Sequence, residues 1–183
     1  KRRRSCRAFS KEALPQEVLE KILEAAVWAP SPMNAQPWEF IVVSNEEAKE
    51  KIAAEAERCR EWALEESGWK WLKGYGMEFL KSVPVMIVVV GDPGKSGVDT
   101  LQKEGGVGYQ NACAAAIQNM LLASHALGFG SLWFTFFDKQ PLREILGIEA
   151  GKTPVALVCV GKPDAEPAPA RRKGVEEKTR YVR

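Results

Sequence analysis

The amino-acid sequence predicts an α+β fold in a single domain of 183 residues. Three features carry the prediction. Continuous apolar runs that end at glycine, residues 85–90 and 155–160, read as strands buried on both faces. A segment after Pro15 repeats its apolar residues at helical spacing, and an alanine-dense segment over residues 109–127 is apolar on almost every side, as a buried helix is. Helices and strands therefore intermingle along the chain, and its size allows a real core without disulfides or a structural metal.

The elements follow in order. Leu14-Pro15-Gln16-Glu17 opens a helix with Pro15 at the first helical position and an acid in the first turn. Val18, Leu19, Ile22, Leu23 and Ala26 make its apolar face, and it should run to about Trp28. Residues 29–37 are rich in turn formers and break directly into a β-branched and aromatic strand over residues 38–43. Ser44 with Glu47 reads as a capping box for a charged helix over residues 45–65, and a second, Trp-rich helix is expected from Trp69 to Lys81, the pair covering the core. Residues 85–90 form the central strand, and the buried helix of residues 109–127 ends at Gly128. Residues 130–137 read as a strand, Asp138 caps a short helix through Leu146 that Gly147 stops, and residues 155–161 are the last core strand. From Lys162 the chain turns to Pro, Ala and charge, so residues 162–183 should leave the core as an extended arm of the kind that embraces a partner subunit.

Charge narrows the function classes. The chain carries 26 basic and 24 acidic side chains, a net charge of +2, and so lacks a global field able to gather nucleic acid or an anionic membrane. Cysteines at positions 6, 59, 113 and 159 form no close pair, which favours free thiols in a reducing cytoplasm. The longest apolar stretch, residues 112–127, is interrupted by Gln118, Asn119 and His125, and no charged-then-apolar leader opens the chain, so neither a membrane span nor export is expected.

Two clusters carry chemistry. Lys1-Arg2-Arg3-Arg4-Ser5-Cys6-Arg7 places guanidinium forks and a hydroxyl together, a group able to grip a phosphate bidentately, although alone it equally describes a solvated basic terminus. Pro30-Ser31-Pro32-Met33-Asn34-Ala35-Gln36-Pro37-Trp38 gathers amide and hydroxyl groups suited to a ribityl chain and a flat heterocycle; without context it is a proline-rich turn whose Trp38 enters the core. Trp62, Trp69, Trp71 and Tyr75 could roof a cavity or cover the core and a dimer seam. His125, the single histidine, has no catalytic partner in sequence and reads as packed or surface. Gly105-Gly106-Val107-Gly108 lacks the Lys-Ser/Thr ending of a phosphate loop and the dinucleotide fingerprint, so a nucleotide-binding role is rejected.

Taken together these segments resemble the nitroreductase family: Arg-Arg-Ser-x-Arg-x-Phe, a helix, Ala-Pro-Ser-x-x-Asn-x-Gln-Pro-Trp and a strand occur in that family's order and spacing. The resemblance continues through Gln118-Asn119-Met120-Leu121-Leu122-Ala123, Leu127-Gly128-Phe129-Gly130-Ser131 and Val160-Gly161-Lys162-Pro163, with Arg171-Arg172-Lys173 beyond. It implies a mostly antiparallel central sheet flanked by helices, an intertwined homodimer, and FMN as cofactor with NADH or NADPH as reductant. It further implies that Arg3, Arg4 and Ser5 contact the flavin phosphate and ribityl chain, that Arg7 lies near the pyrimidine edge, and that Arg172, with Arg171 and Lys173 beside it, reaches the phosphate from the arm. Pro30, Ser31, Pro32, Asn34 and Gln36 would complete the site of the neighbouring subunit. Backbone amides at Thr135 and Phe136 would approach the reactive edge, with side chains where the family often has glycine, which reshapes the cavity. No catalytic acid–base group is needed, because the flavin carries the chemistry: hydride passes from reduced nicotinamide to N5 and on to a nitroaromatic, quinone or similar acceptor in a ping-pong cycle. Other flavin reactions on the same fold, reductive dehalogenation or oxygen-dependent flavin fragmentation, stay open, as does a non-catalytic module that binds an anion or nucleic acid.

Overall fold

The structure, a computed structural model, describes residues 2–101, 106–166 and 169–182. Four strands, β1 (Trp38–Val43), β2 (Val85–Gly91), β3 (Gly130–Phe134) and β4 (Thr153–Gly161), form one sheet in the order β1-β2-β4-β3. Every pairing is antiparallel, with Ile87 opposite Val42 and Val158. Helices α1 (Gln16–Val27), α2 (Glu46–Ser67), α3 (Phe79–Ser82), α4 (Gly108–Ala126) and α5 (Lys139–Leu146) cover its two faces.

The two-residue period of β2 divides the core. Met86, Val88 and Val90 pack with Ile52 and Ala56 of α2, Leu80 of α3 and Leu142 of α5, whereas Val85, Ile87 and Val89 pack with Ile22 of α1 and Ile117 and Met120 of α4. All seven residues of β2 are buried, which explains why its sequence does not alternate. Each such side chain withdrawn from water contributes about 1.5–3 kcal/mol before the entropy of ordering it is counted.

Several boundaries differ from the sequence expectation. Pro15 is the N-cap of α1 rather than its first helical residue. Asn45, not Ser44, caps α2: its Oδ1 accepts the Ala48 backbone N–H at 3.0 Å, and the helix then runs on to Ser67. The expected helix from Trp69 to Lys81 is instead a 3-10 turn over Lys70–Gly74 and the single turn of α3. Gly74 and Gly76 bracket Tyr75, each costing about 1 kcal/mol against helix, and Arg60 takes the Leu72 carbonyl at 3.0 Å. β3 stops at Phe134 rather than residue 137, and just beyond it the chain turns, the Phe137 N–H donating to the Thr135 carbonyl at 3.1 Å. Gly147 ends α5 at φ +64°, a conformation that residues with a Cβ resist.

Glu55 of α2 fastens the start of α5. Its carboxylate accepts Arg58 at 2.8 and 2.9 Å, the Asp138 backbone N–H at 3.0 Å and the Cys59 thiol at 3.2 Å, while Arg58 also bridges to the Asp138 carboxylate. Asp138 stands at the N-cap of α5 as expected, but its side chain turns to Arg58 and makes no cap hydrogen bond. The Arg58 hydrogen bond is the main cause that holds the Glu55 carboxyl below its ordinary range. A lowered carboxyl stabilises the fold above its unfolded pKa, and that contribution is lost as pH falls through the folded value, so Arg58→Ala should move acid unfolding, followed by circular dichroism, to higher pH.

Candidate active site

Two segments meet at β3, an edge strand of the sheet. Ser5 bridges Ser131 in parallel, the Cys6 N–H donates to the Ser131 carbonyl at 3.0 Å, and the segment after β4 folds back to pair Phe9 with Pro163. Backbone bonds from Ser10 to Lys162 at 2.9 Å and from Asp164 to Ala8 at 3.0 Å tie the two together. The edge is covered and the arginine cluster is held on the sheet.

Between these segments lies a cleft of about 540 Å³ lined by Arg3, Arg4, Ser5, Arg7 and Arg172, with Glu166 as the one carboxylate. Four guanidiniums beside one acid give its described lining an excess of positive charge, suited to an anion. A second cleft of about 450 Å³ shares Arg3, Arg4 and Glu166 and adds Arg2, His125 and Ser131. The Ser131 hydroxyl is buried there without a hydrogen-bond partner among the described residues. His125 itself is exposed, where the sequence left a packed or a surface role open. In the arm, residues 169–182 form no helix or strand; Arg172 reaches the cleft, while Arg171 and Lys173 do not line it.

Arg7 has a partner that the sequence does not suggest. Its Nε donates to the Tyr75 hydroxyl at 3.0 Å, and its guanidinium carbon lies 5.4 Å from that ring's centroid. Tyr75 stands edge-on to Trp71 at 5.6 Å, and Trp71 stacks on Trp69 at 6.2 Å and 24°. Trp62 lies on α2, exposed, and among the described residues has no ring contact with this set.

The residues of the proline-rich loop lie elsewhere. Pro32 seats against Gly97 and Gly108 at the start of α4, and Pro30, Ser31, Pro32, Asn34 and Gln36 do not line the arginine cleft of their own chain. Met33, Asn34 and Gln36 hold φ values of +54°, +55° and +45°, a strained backbone kept in place by the Ser31 hydroxyl, which accepts the Gln36 N–H at 3.0 Å. Trp38, by contrast, packs on the core at the head of β1. Gly106 and Gly108 pack closely on residues 96–100, a structural use of the glycine-rich loop; Gly105, like Lys1, lies outside the described residues. Thr135 and Phe136 leave β3 at its far end, about 13 Å along the strand from Ser131, and do not line the arginine cleft. Thr135 is exposed and Phe136 packs against the core.

The four cysteines offer no thiolate. Burial pushes the Cys113 and Cys159 thiols up to about 12, burial with the Glu55 hydrogen bond does the same for Cys59, and burial raises Cys6, whose thiol donates to the Ala8 carbonyl at 3.1 Å. Among the described residues no helix is long and apolar enough to cross a membrane.

Known proteins resemble the chain over most of its length. Residues 1–162 match the model of the nitroreductase family. The chain is 32% identical over 171 residues to a Methanothermobacter thermautotrophicus protein provisionally named NADH dehydrogenase/NAD(P)H nitroreductase, covering 91% of this chain and 76% of that one. It is 34% identical over 173 residues to iodotyrosine deiodinase of Haliscomenobacter hydrossis, covering 88% and 76% respectively. Among solved structures, oxidized iodotyrosine deiodinase bound to FMN and 3-iodo-L-tyrosine superposes with a TM-score of 0.83 at 27% identity, over all of this chain and 94% of that one.

Proposed function

The chain belongs to the nitroreductase family, and on that footing we propose that it is an oxidoreductase that moves hydride from NADH or NADPH through FMN to a nitroaromatic, quinone or similar acceptor. The observation that carries the reading is the convergence of Arg3, Arg4, Ser5, Arg7 and Arg172 on one cleft from segments far apart in sequence.

The donors present fit FMN. Several guanidiniums can pair with a phosphate dianion, Ser5 adds a hydroxyl, and a cleft of about 540 Å³ suits a cofactor of this size. Arg3, Arg4 and Arg172 would hold the phosphate, Ser5 the ribityl chain, and Arg7 the pyrimidine edge, with the backbone amides of Thr135 and Phe136 at the far end of β3 facing the reactive edge. FMN, when bound, supplies the two-electron chemistry of a ping-pong cycle, so the protein's work is to bind, orient and tune. The buried, protonated cysteines leave no rival nucleophile and suit a reducing cytoplasm.

A homodimer completes the site in this proposal. Pro30, Ser31, Pro32, Asn34 and Gln36 line no part of their own chain's arginine cleft, yet sit on a strained, exposed loop, with Met33 80% exposed. They would serve the partner's cofactor, and the single domain of residues 1–183 would embrace that partner with the arm of residues 162–183.

Arg7→Gln should make the bound flavin harder to reduce, lowering its midpoint potential by about 30 mV as judged from anaerobic titration. An unchanged potential would remove Arg7 from the tuning role. The proposal as a whole is tested by the absorbance spectrum of the purified protein and anaerobic addition of reduced nicotinamide. Yellow protein that bleaches, then recovers on injection of a nitroaromatic or quinone, is the expected result; protein that takes up no FMN would sink it. The likeness to iodotyrosine deiodinase supports reductive dehalogenation as a second reading. Halide release from a halophenol, absent with nitroaromatics alone, separates the two.

A further inference from the structure

We infer that Trp69 and Trp71 form the recognition surface for the aromatic acceptor, joined to the cofactor cleft through Tyr75 and Arg7; this rests on the flavin-dependent reading above. Both indoles are large apolar groups left more than half exposed, at 58% and 59%, which a folded surface rarely tolerates for two stacked neighbours without a use. The turn that carries them is not loose. Leu72, directly after Trp71, is fully buried, Arg60 donates to the Leu72 carbonyl at 3.0 Å, and the Ser67 hydroxyl accepts the Trp69 N–H at 3.2 Å. The backbone is thus anchored through Leu72 while both rings are turned outward, an arrangement that presents a ligand surface with its ordering already done.

Position gives the surface its occupant. Tyr75 touches Trp71 on one side and accepts the Arg7 hydrogen bond on the other, so the aromatic row is joined to the cleft through Arg7, which lines it. Indole faces are electron-rich and favour a flat, electron-poor ring stacked with offset, and Arg7, on the far side of Tyr75 from Trp71, puts a cation at the cleft end of the row for a nitro, carboxylate or quinone oxygen. A planar electron-poor acceptor satisfies both features at once, whereas a second copy of the chain would have no need of Arg7.

The test uses the FMN-loaded protein. In the oxidised enzyme without nicotinamide, 4-nitrobenzoate should quench tryptophan fluorescence in a saturable way, and Trp69→Ala/Trp71→Ala should weaken that binding about tenfold. In turnover the same double variant should raise KM for 4-nitrobenzoate and a quinone about tenfold, with KM for ferricyanide, which has no ring, moving less than twofold. Phenylalanine at both positions should restore most of the affinity, and Trp62→Ala, an exposed indole outside the row, should change nothing. Equal shifts for ferricyanide and the aromatic acceptors, or a double variant that changes oligomeric state and not KM, would overturn the inference. FMN content measured in each sample separates the failures: a wild type that binds FMN while the variants leave KM unmoved defeats this inference alone, and a wild type that binds no FMN defeats the reading beneath it as well.

Discussion

Replacing Gly130 with valine should strip the protein of FMN although no cofactor-contacting side chain is altered. A Cβ at this position would meet Cys6 Sγ at 2.8 Å, Cys6 Cβ at 2.9 Å and Pro163 Cγ at 3.1 Å. Gly130 is where the segment bearing Arg3 to Arg7 and the segment leading to Arg172 lie on the sheet together, so neither can give way without moving its arginines. Overpacking of this kind costs about 1–3 kcal/mol, which for a chain of this length lowers the melting temperature by about 5 °C. Cofactor affinity should fall further, by about 100-fold, because orientation of several charge-assisted hydrogen bonds is lost at once. Differential scanning fluorimetry beside a flavin-fluorescence titration checks both. A variant that loses stability yet keeps its FMN affinity would show that the docking of the two segments is not what positions the arginines.

Arg3→Ala and Arg172→Ala should each weaken FMN binding by about 10- to 100-fold, since hydrogen bonds to a charged group contribute about 1.5–3 kcal/mol. The pair together should leave the protein colourless after gel filtration. The arginines lie on the cleft wall and not in the core, so thermal stability of the apoprotein should change little. Riboflavin, which lacks the phosphate, gives the sharper measurement: its affinity should be nearly the same in wild type and both variants. A parallel loss for riboflavin would move these arginines away from the phosphate. Among neighbouring residues of the arm, Arg171→Ala should have the smaller effect, because Arg172 and not Arg171 lines the cleft.

Much of the fold was legible because its signals are local. The all-apolar runs of β2 and β4 are strands that lie inside the sheet, and the apolar spacing of α1 and the alanine-dense α4 follow from helices packed on one face of it. Some of the departures from expectation come from competition outside the segment. Arg60 takes the Leu72 carbonyl where a helix was expected, and Arg58 holds the carboxylate of Asp138, which stands at the N-cap of α5 as expected but makes no side-chain cap hydrogen bond. Neither of these partners is near in sequence, so no window of neighbouring residues reveals them.

The same division runs through the candidate site. The residue types needed for a phosphate and a flat heterocycle, their order along the chain, and the fold class were determined by the sequence itself, because guanidinium forks, turn-forming prolines and apolar periodicity are properties of short segments. Only the tertiary structure decided that Arg172 rather than Arg171 faces the cleft, that the proline-rich loop stands apart from its own chain's arginines, and that Tyr75 receives Arg7 across 68 positions. These depend on where β3 offers its edge and on which groups the packed core leaves within hydrogen-bond reach. Such distances exist only once the chain has closed on itself, and it is they that turn a list of suitable side chains into a site.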